Sequence, residues 1–199
     1  MDGSRTEPGG GPESQGGRRA AILAATADLV ARQGYAGVSM RDIAREVGMT
    51  AGSLYHHFPS KEELFVAIHA RAVARFDQAL DAALSRAQTD PWARLEAAAA
   101  AHLGELTALG GQVAIVKPDA PGLSNDTAAQ VFAARNGYEA RFRVLVEDLP
   151  LREGVDRSLA RLMLMGALNW TPIWMRPGGR APEDVARAFV AAMRNGIGA

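Results

Sequence analysis

Residues 39–64 read Ser-Met-Arg-Asp-Ile-Ala-Arg-Glu-Val-Gly-Met-Thr-Ala-Gly-Ser-Leu-Tyr-His-His-Phe-Pro-Ser-Lys-Glu-Glu-Leu. Ser39 is a favoured N-cap, and Asp42 three residues on makes the acidic variant of a capping box. Ile43, Ala44 and Val47 then share one face of a short helix. Gly48 suits a left-handed stop. Thr50 caps a second helix, predicted from Ala51 to about Phe58. Leu54 and Phe58 form its inward face, which leaves Ser53, Tyr55, His56 and His57 outside or flanking. Two short helices meeting at a glycine corner are a helix-turn-helix pattern, and the second helix fits a DNA major groove. Gly52 keeps the start of that helix slim, so its backbone and the Ser53 hydroxyl approach phosphates. Tyr55 and His56 reach phosphate oxygens or base edges. Pro59 and Ser60 end the helix, and Ser60 with Glu63 reads as a second capping box. The helix it opens begins at Lys61, where N-terminal N–H groups and the ammonium both favour a phosphate.

Outward from this stretch, the 199 residues suffice for one or two compact domains. Almost half are hydrophobic. Alanine dominates that fraction while β-branched and aromatic residues are sparse, which points to an all-α chain. Cysteine is absent, so neither a disulfide framework nor a thiolate zinc site is available, in keeping with a cytoplasmic setting. The formal net charge is zero. Between residues 16 and 71 the bases Arg18, Arg19, Arg32, Arg41, Arg45, Lys61 and Arg71 barely outnumber the acids Asp28, Asp42, Glu46, Glu62 and Glu63. Binding to DNA would then rest on placed contacts and on the avidity of a dimer, not on a broad positive field. No apolar run is long enough to span a membrane, and the N-terminus lacks a basic-then-apolar signal pattern.

Residues 1–17 are rich in Gly, Pro, Ser and Glu, and read as a disordered tail. Arg18 and Arg19 at its end are placed either to reach a groove or to start a solvated helix. A first helix is expected over Ala20–Gln33, with Ile22, Leu29 and Val30 inward and Gly34 as its stop. Tyr35 and Val38 would plug the small core it makes with the two helices of the motif. A long helix follows from Lys61 to about Ala87, then one from Trp92 to Leu109 after Pro91. Gln112–Val116 is an apolar run ambiguous between helix and strand, and residues 117–122 read as a loop. Further helices are expected over 126–149, with Val131, Phe132, Tyr138, Phe142, Leu145 and Val146 inward, then 157–175 and 183–195. The helix over 157–175 is apolar on more than one face and carries Pro172, which should kink or end it. Ala181 is a poor N-cap for the last helix, whose stripe is Val185, Phe189, Ala192 and Met193.

The four histidines do not read as a metal site. His56 and His57 are adjacent and so diverge on a helix, while His69 reads as solvated and His102 stands alone. No nucleophile elbow or phosphate loop is present, which argues against an enzyme, and nothing calls for a cofactor. Beyond residue 90 the aromatic residues and methionines are core first. Among them and their polar neighbours, His102, Phe132, Tyr138, Phe142, Met165, Asn169 and Trp170 are the candidate lining of an apolar pocket.

The string Gly-Ser-Leu-Tyr-His-His-Phe-Pro-Ser-Lys-Glu-Glu-Leu at 52–64, with Gln33-Gly34-Tyr35 and Val38 to Ala44 before it, closely resembles the DNA-binding region of the TetR family of bacterial regulators. The resemblance covers about residues 18–65. It implies DNA contact by Thr50, Gly52, Ser53, Tyr55, His56 and Lys61, with Arg41 as a further phosphate contact. It also implies a homodimer joined by the last two long helices, a palindromic operator, and a small-molecule effector bound in a helical body over 66–199. The expected architecture is about nine helices. The stretch from Asn169 to Gly179 is loosely similar to members that answer lipid- or sterol-derived acyl-CoA ligands. The resulting expectation is a repressor released by a small apolar or acyl-CoA-type ligand. An activator, an interaction module without DNA binding, and a helical ligand-binding protein or enzyme stay open as other classes.

Overall fold

The computed structural model describes residues 12–110, 122–176 and 178–199. Eight helices occur among them: α1 Pro12–Gln33, α2 Met40–Glu46, α3 Ala51–His57, α4 Lys61–Arg86, α5 Pro91–Leu109, α6 Asn125–Glu147, α7 Arg157–Trp174 and α8 Pro182–Ile197. The ambiguous run 112–116, the candidate for a ninth helix, lies outside the described residues, as do residues 1–11. Helix α1 begins at Pro12, inside the segment expected to be a tail and ahead of the expected start at Ala20.

The caps explain most boundaries. Ser39 Oγ accepts from Asp42 N while the Asp42 carboxylate accepts from Ser39 N, so the capping box at α2 is complete. That hydroxyl and amide hold the Asp42 carboxyl below its usual range, with Arg45 adding to the effect. Gly48 turns the chain at φ 65°, where a side chain would be strained. Thr50 Oγ1 accepts from Ser53 N, Ser60 Oγ from Glu63 N and Asp90 from Ala93 N. Asp156 accepts from both Ser158 N and Leu159 N at the start of α7. Ala181 makes no side-chain cap, and Pro182 at the first turn of α8 removes one donor that would need it. Pro172 sits in the last turn of α7 and cannot donate to Leu168 O. The Thr171 hydroxyl donates there instead at 2.8 Å, so the helix continues to Trp174.

Two apolar clusters meet along α4. The first joins Ile22, Leu29, Tyr35, Val38, Ile43, Leu54 and Phe58 to Leu64, Phe65 and Ile68 of α4. The second begins about two turns further on with Phe76 and Leu80 and takes in Trp92, Leu95, Leu103, Phe142, Leu164, Leu168 and Val190. Burying each such side chain contributes about 1.5–3 kcal/mol. Helix α6 belongs to both, since its Val131 packs in the first cluster and its Tyr138 and Phe142 in the second. Phe132, expected inward, is 45% exposed, because the inward face of α6 there is carried by Val131. Ala192, expected on the stripe of α8, is also exposed, and Ala186 and Val190 take its place. The last residues are pinned to the α6–α7 turn by Arg152 N to Ile197 O and Ala199 N to Pro150 O.

Candidate nucleic-acid interface and interior cavity

Helix α3 is seated by Leu54, which is fully buried, and by Phe58 at its end. The geometry leaves its other faces to solvent. Tyr55 is 49% exposed, His56 and Gly52 are exposed, and Ser53 is half-buried beside its cap. Thr50 and Arg41 are exposed as well. A methyl built on Gly52 would meet nothing nearer than Thr50 Oγ1 at 4.0 Å. The protein's own packing therefore gives no reason for glycine in this helix, where it is less stable than alanine by roughly 0.5–1 kcal/mol. A surface brought against the helix from outside supplies one. Arg45 is held by Asp42, and Arg32 pairs with Glu46 at 3.0 Å, whereas Arg41 makes no ion pair among the described residues.

Two basic residues have partners that the sequence did not show. Lys61 Nζ donates to the carbonyls of Tyr35 and Val38, 3.0 Å each, and lies 4.1 Å from the centre of the Tyr35 ring. Its ammonium ties the α1–α2 turn to α4 and is engaged with the protein itself, not presented alongside Tyr55 and His56. Arg19 stacks its guanidinium over Phe58, 4.7 Å from the ring centre, and is part of α1, not of a free arm.

A cavity of about 190 Å³ lies in the second cluster, lined by His69, Val73, Phe76, His102, Leu106, Arg135, Tyr138, Glu139, Met165 and Asn169. Four of the seven expected residues line it: His102, Tyr138, Met165 and Asn169. Phe142 stands behind, its ring 5.8 Å from both His102 and Tyr138. Phe132 and Trp170, the latter 63% exposed, are not part of it. His69, expected in solvent, is buried against the cavity. Its position on α4 one turn from Val73 was readable from the helical period, since both fall on the inward stripe with Phe65 and Phe76. Arg135 and Glu139 were missed because nothing local distinguishes them from a solvated i, i+4 pair.

His102 Nε2 lies 3.2 Å from Asn169 Oδ1, and its Nδ1 lies 3.0 Å from the Tyr138 hydroxyl. With the amide oxygen accepting, Nε2 carries the proton and Nδ1 accepts from Tyr138. Burial pushes the imidazole pKa down to about 4, against the opposing effect of the Asn169 hydrogen bond, so the ring is neutral near pH 7. Burial likewise pushes the Tyr138 hydroxyl far up. His102 and Tyr138 are thus both uncharged near pH 7. At its edge Glu139 is shared between Arg135 at 2.8 Å and Arg161 at 3.6 Å.

A direct tie joins the α6 side of this cavity to the start of α4, next to α3 in the chain. Glu62 near the start of α4 accepts from Ser124 Oγ at 3.0 Å and Thr127 Oγ1 at 2.9 Å. The Thr127 hydrogen bond, then that of Ser124, holds the Glu62 carboxyl below its usual range. Thr127 and Val131 are followed on α6, at one- to two-turn intervals, by Arg135, Tyr138 and Glu139 of the cavity.

Among the described residues no helix is long and apolar enough to cross a membrane. Residues 22–68 match the profile of bacterial regulatory proteins of the tetR family, and residues 88–197 that of the tetracyclin repressor-like C-terminal domain. The chain is similar to the HTH-type transcriptional repressor KstR2 of Mycolicibacterium smegmatis, 28% identical, with 94% of this chain and 93% of the relative covered. Among solved structures it is similar to AibR in complex with isovaleryl coenzyme A and operator DNA, with TM-score 0.75, 26% identity, and 88% of this chain and 97% of that one covered. It is also similar to the ketosteroid transcriptional regulator KstR2 of Mycobacterium tuberculosis, with TM-score 0.70, 25% identity, and 92% and 95% covered.

Proposed function

The chain belongs to the TetR family of bacterial regulatory proteins, and from that membership we propose that it is a ligand-responsive, DNA-binding transcriptional repressor working in the cytoplasm, not an enzyme. Residues 18–65 form the DNA-binding part and residues 66–199 the ligand-binding and dimerising part. Each subunit of a homodimer sets α3 into a major groove, with Thr50, Gly52, Ser53, Tyr55 and His56 against the duplex and Arg41 on a phosphate. The two-fold axis asks for a palindromic operator whose half-sites lie about 34–36 Å apart, or a multiple of that. Helix α7 supplies the dimer surface. Its Leu159, Leu162, Met163, Trp170 and Ile173 are 50–63% exposed, an apolar stripe that a second copy would cover.

The observation that carries the reading is the connection, within one chain, of an exposed reading helix to an interior cavity by both α4 and α6. A small apolar or acyl-thioester ligand in the cavity favours a conformer whose two reading helices no longer match the half-sites. It does so only by its difference in affinity between the conformers. Helix α4 is the first link, and the Glu62–Ser124–Thr127 contact adds α6 as a second. The test is a mobility-shift titration on the DNA upstream of the gene, with and without acyl-coenzyme A thioesters. Specific binding relieved by a thioester is expected. Binding no tighter than to random duplex would overturn the reading.

A further inference from the structure

We propose that Arg19, held over Phe58 at the end of α3, is a fixed clamp for a DNA phosphate beside the reading helix. This rests on the repressor reading above and goes beyond it, because the contact comes from α1, outside the two helices of the motif. Three observations carry it.

Position comes first. The inward stripe of α1 is Ile22, Leu23, Thr26, Leu29 and Val30, all buried. Stepping back along that stripe by three or four residues arrives at position 19. An apolar residue there would extend the core, and the chain carries arginine instead. Its guanidinium carbon lies 4.7 Å from the centre of the Phe58 ring. Phe58 is buried and is the C-cap of α3. The ring's quadrupole attracts the cation, so a positive charge is fixed at that end of α3 while Arg19 itself stays exposed.

Chemistry comes second. Arg32 pairs with Glu46, Arg45 with Asp42, and Arg71 donates to Ala20 O at 2.9 Å. The Arg19 guanidinium makes no hydrogen bond or ion pair among the described residues. The Phe58 ring offers no oxygen, so the N–H fork is left with donors to give. That planar fork matches the oxygens of a phosphate.

Access comes third. Gly16 and Gly17 precede Arg19 inside α1, both are exposed, and a methyl built on either meets nothing within 4 Å. Glycine is less stable than alanine inside a helix, and packing within the chain gives no reason for two of them. Gly16 lies one turn before Arg19 on the neighbouring face, so no side chain there stands between the guanidinium and an approaching backbone. The duplex is the occupant that fits, by charge and by continuity with α3. The seven residues of α3 span about 10 Å and the major groove is about 12 Å wide, so a group at the end of the helix stands beside a phosphate wall.

The experiment is fluorescence anisotropy of the intact protein on the DNA upstream of the gene and on a random duplex, from about 50 to about 200 mM salt. Arg19→Met keeps a side chain over Phe58 and removes the charge, while Arg19→Gln removes both the charge and most of the stem. Arg18→Gln is the control, since Arg18 is the exposed neighbour with the same charge and no ring beneath it. Both Arg19 variants should flatten the slope of log affinity against log salt by about 0.9 for each subunit. They should weaken the operator and the random duplex by the same several-fold factor, because a phosphate carries no sequence information. Arg18→Gln should change the slope by less than half as much. Arg19→Met with wild-type slope and affinity makes Arg19 a cover for the core only and overturns the proposal. Equal slope changes in Arg18→Gln and Arg19→Gln mean diffuse charge and overturn it too. In either case specific binding by the wild type leaves the repressor standing. A wild type that prefers no site over random duplex, yet loses slope in Arg19→Met, supports the clamp and sinks the repressor.

Discussion

Acidification should expose the cost of the buried imidazole. His102 is 4% exposed and is held neutral by burial, with its pKa down from 6.5 to about 4. In the unfolded chain the ring takes a proton at its ordinary value, and in the folded chain only near pH 4. Between those values the unfolded state binds more protons, so stability falls with pH, and the whole penalty is present below about 4. At about 1.4 kcal/mol for each pH unit, the gap amounts to about 3 kcal/mol, of which about 2 kcal/mol is lost by pH 5. His102→Gln keeps an amide donor and acceptor but does not titrate. Urea unfolding of both proteins at about pH 7.5 and about pH 5, at one fixed protein concentration because a dimer's stability depends on it, gives the two differences. The carboxylates, including Asp42 and Glu62 with their lowered pKa values, are common to both and cancel. Wild type should lose about 2 kcal/mol more than the variant. An equal loss in the two would refute the assignment of a neutral, desolvated His102.

Gly52→Ala should raise stability by roughly 0.5 kcal/mol and weaken operator binding on the order of tenfold through lost close backbone contacts, which denaturation and fluorescence anisotropy would separate. Tyr55→Phe should weaken operator binding by about 1.5–3 kcal/mol for each lost bond to a phosphate with an unchanged salt slope, whereas Arg41→Ala should flatten that slope by about one for each subunit. Leu162→Asp, at a residue 50% exposed in the chain alone, should yield a folded monomer in sedimentation velocity. Thr127→Val should preserve ligand affinity and operator affinity measured separately, yet shrink the factor by which one reduces the other.

Local structure was legible because local chemistry causes it. Ser39 with Asp42, Thr50 and Asp156 bond to amides two or three residues away, so the helix starts could be read from the residue types alone. The period of Leu54 and Phe58 fixed which face of α3 turns outward. Reading fell short where a side chain's partner lies far along the chain. Lys61 reads as a phosphate ligand at a helix start, and the carbonyls of Tyr35 and Val38 that its ammonium also reaches come near only after α1 has folded back onto α4. Phe132 and Val131 are adjacent apolar residues, and the packing of α6 on the first cluster decides that Val131 is buried.

Taken alone, then, the amino-acid order determined an all-α chain, its reading helix and that helix's outward groups, since caps, glycine corners and the helical period act over a few residues. Only the tertiary structure decided the cavity. His69 and Phe76 from α4, His102 from α5, Arg135 and Tyr138 from α6 and Asn169 from α7 come together through packing between helices distant in sequence. Its volume and the neutrality of its buried imidazole are properties of that packing, and no single helix carries them.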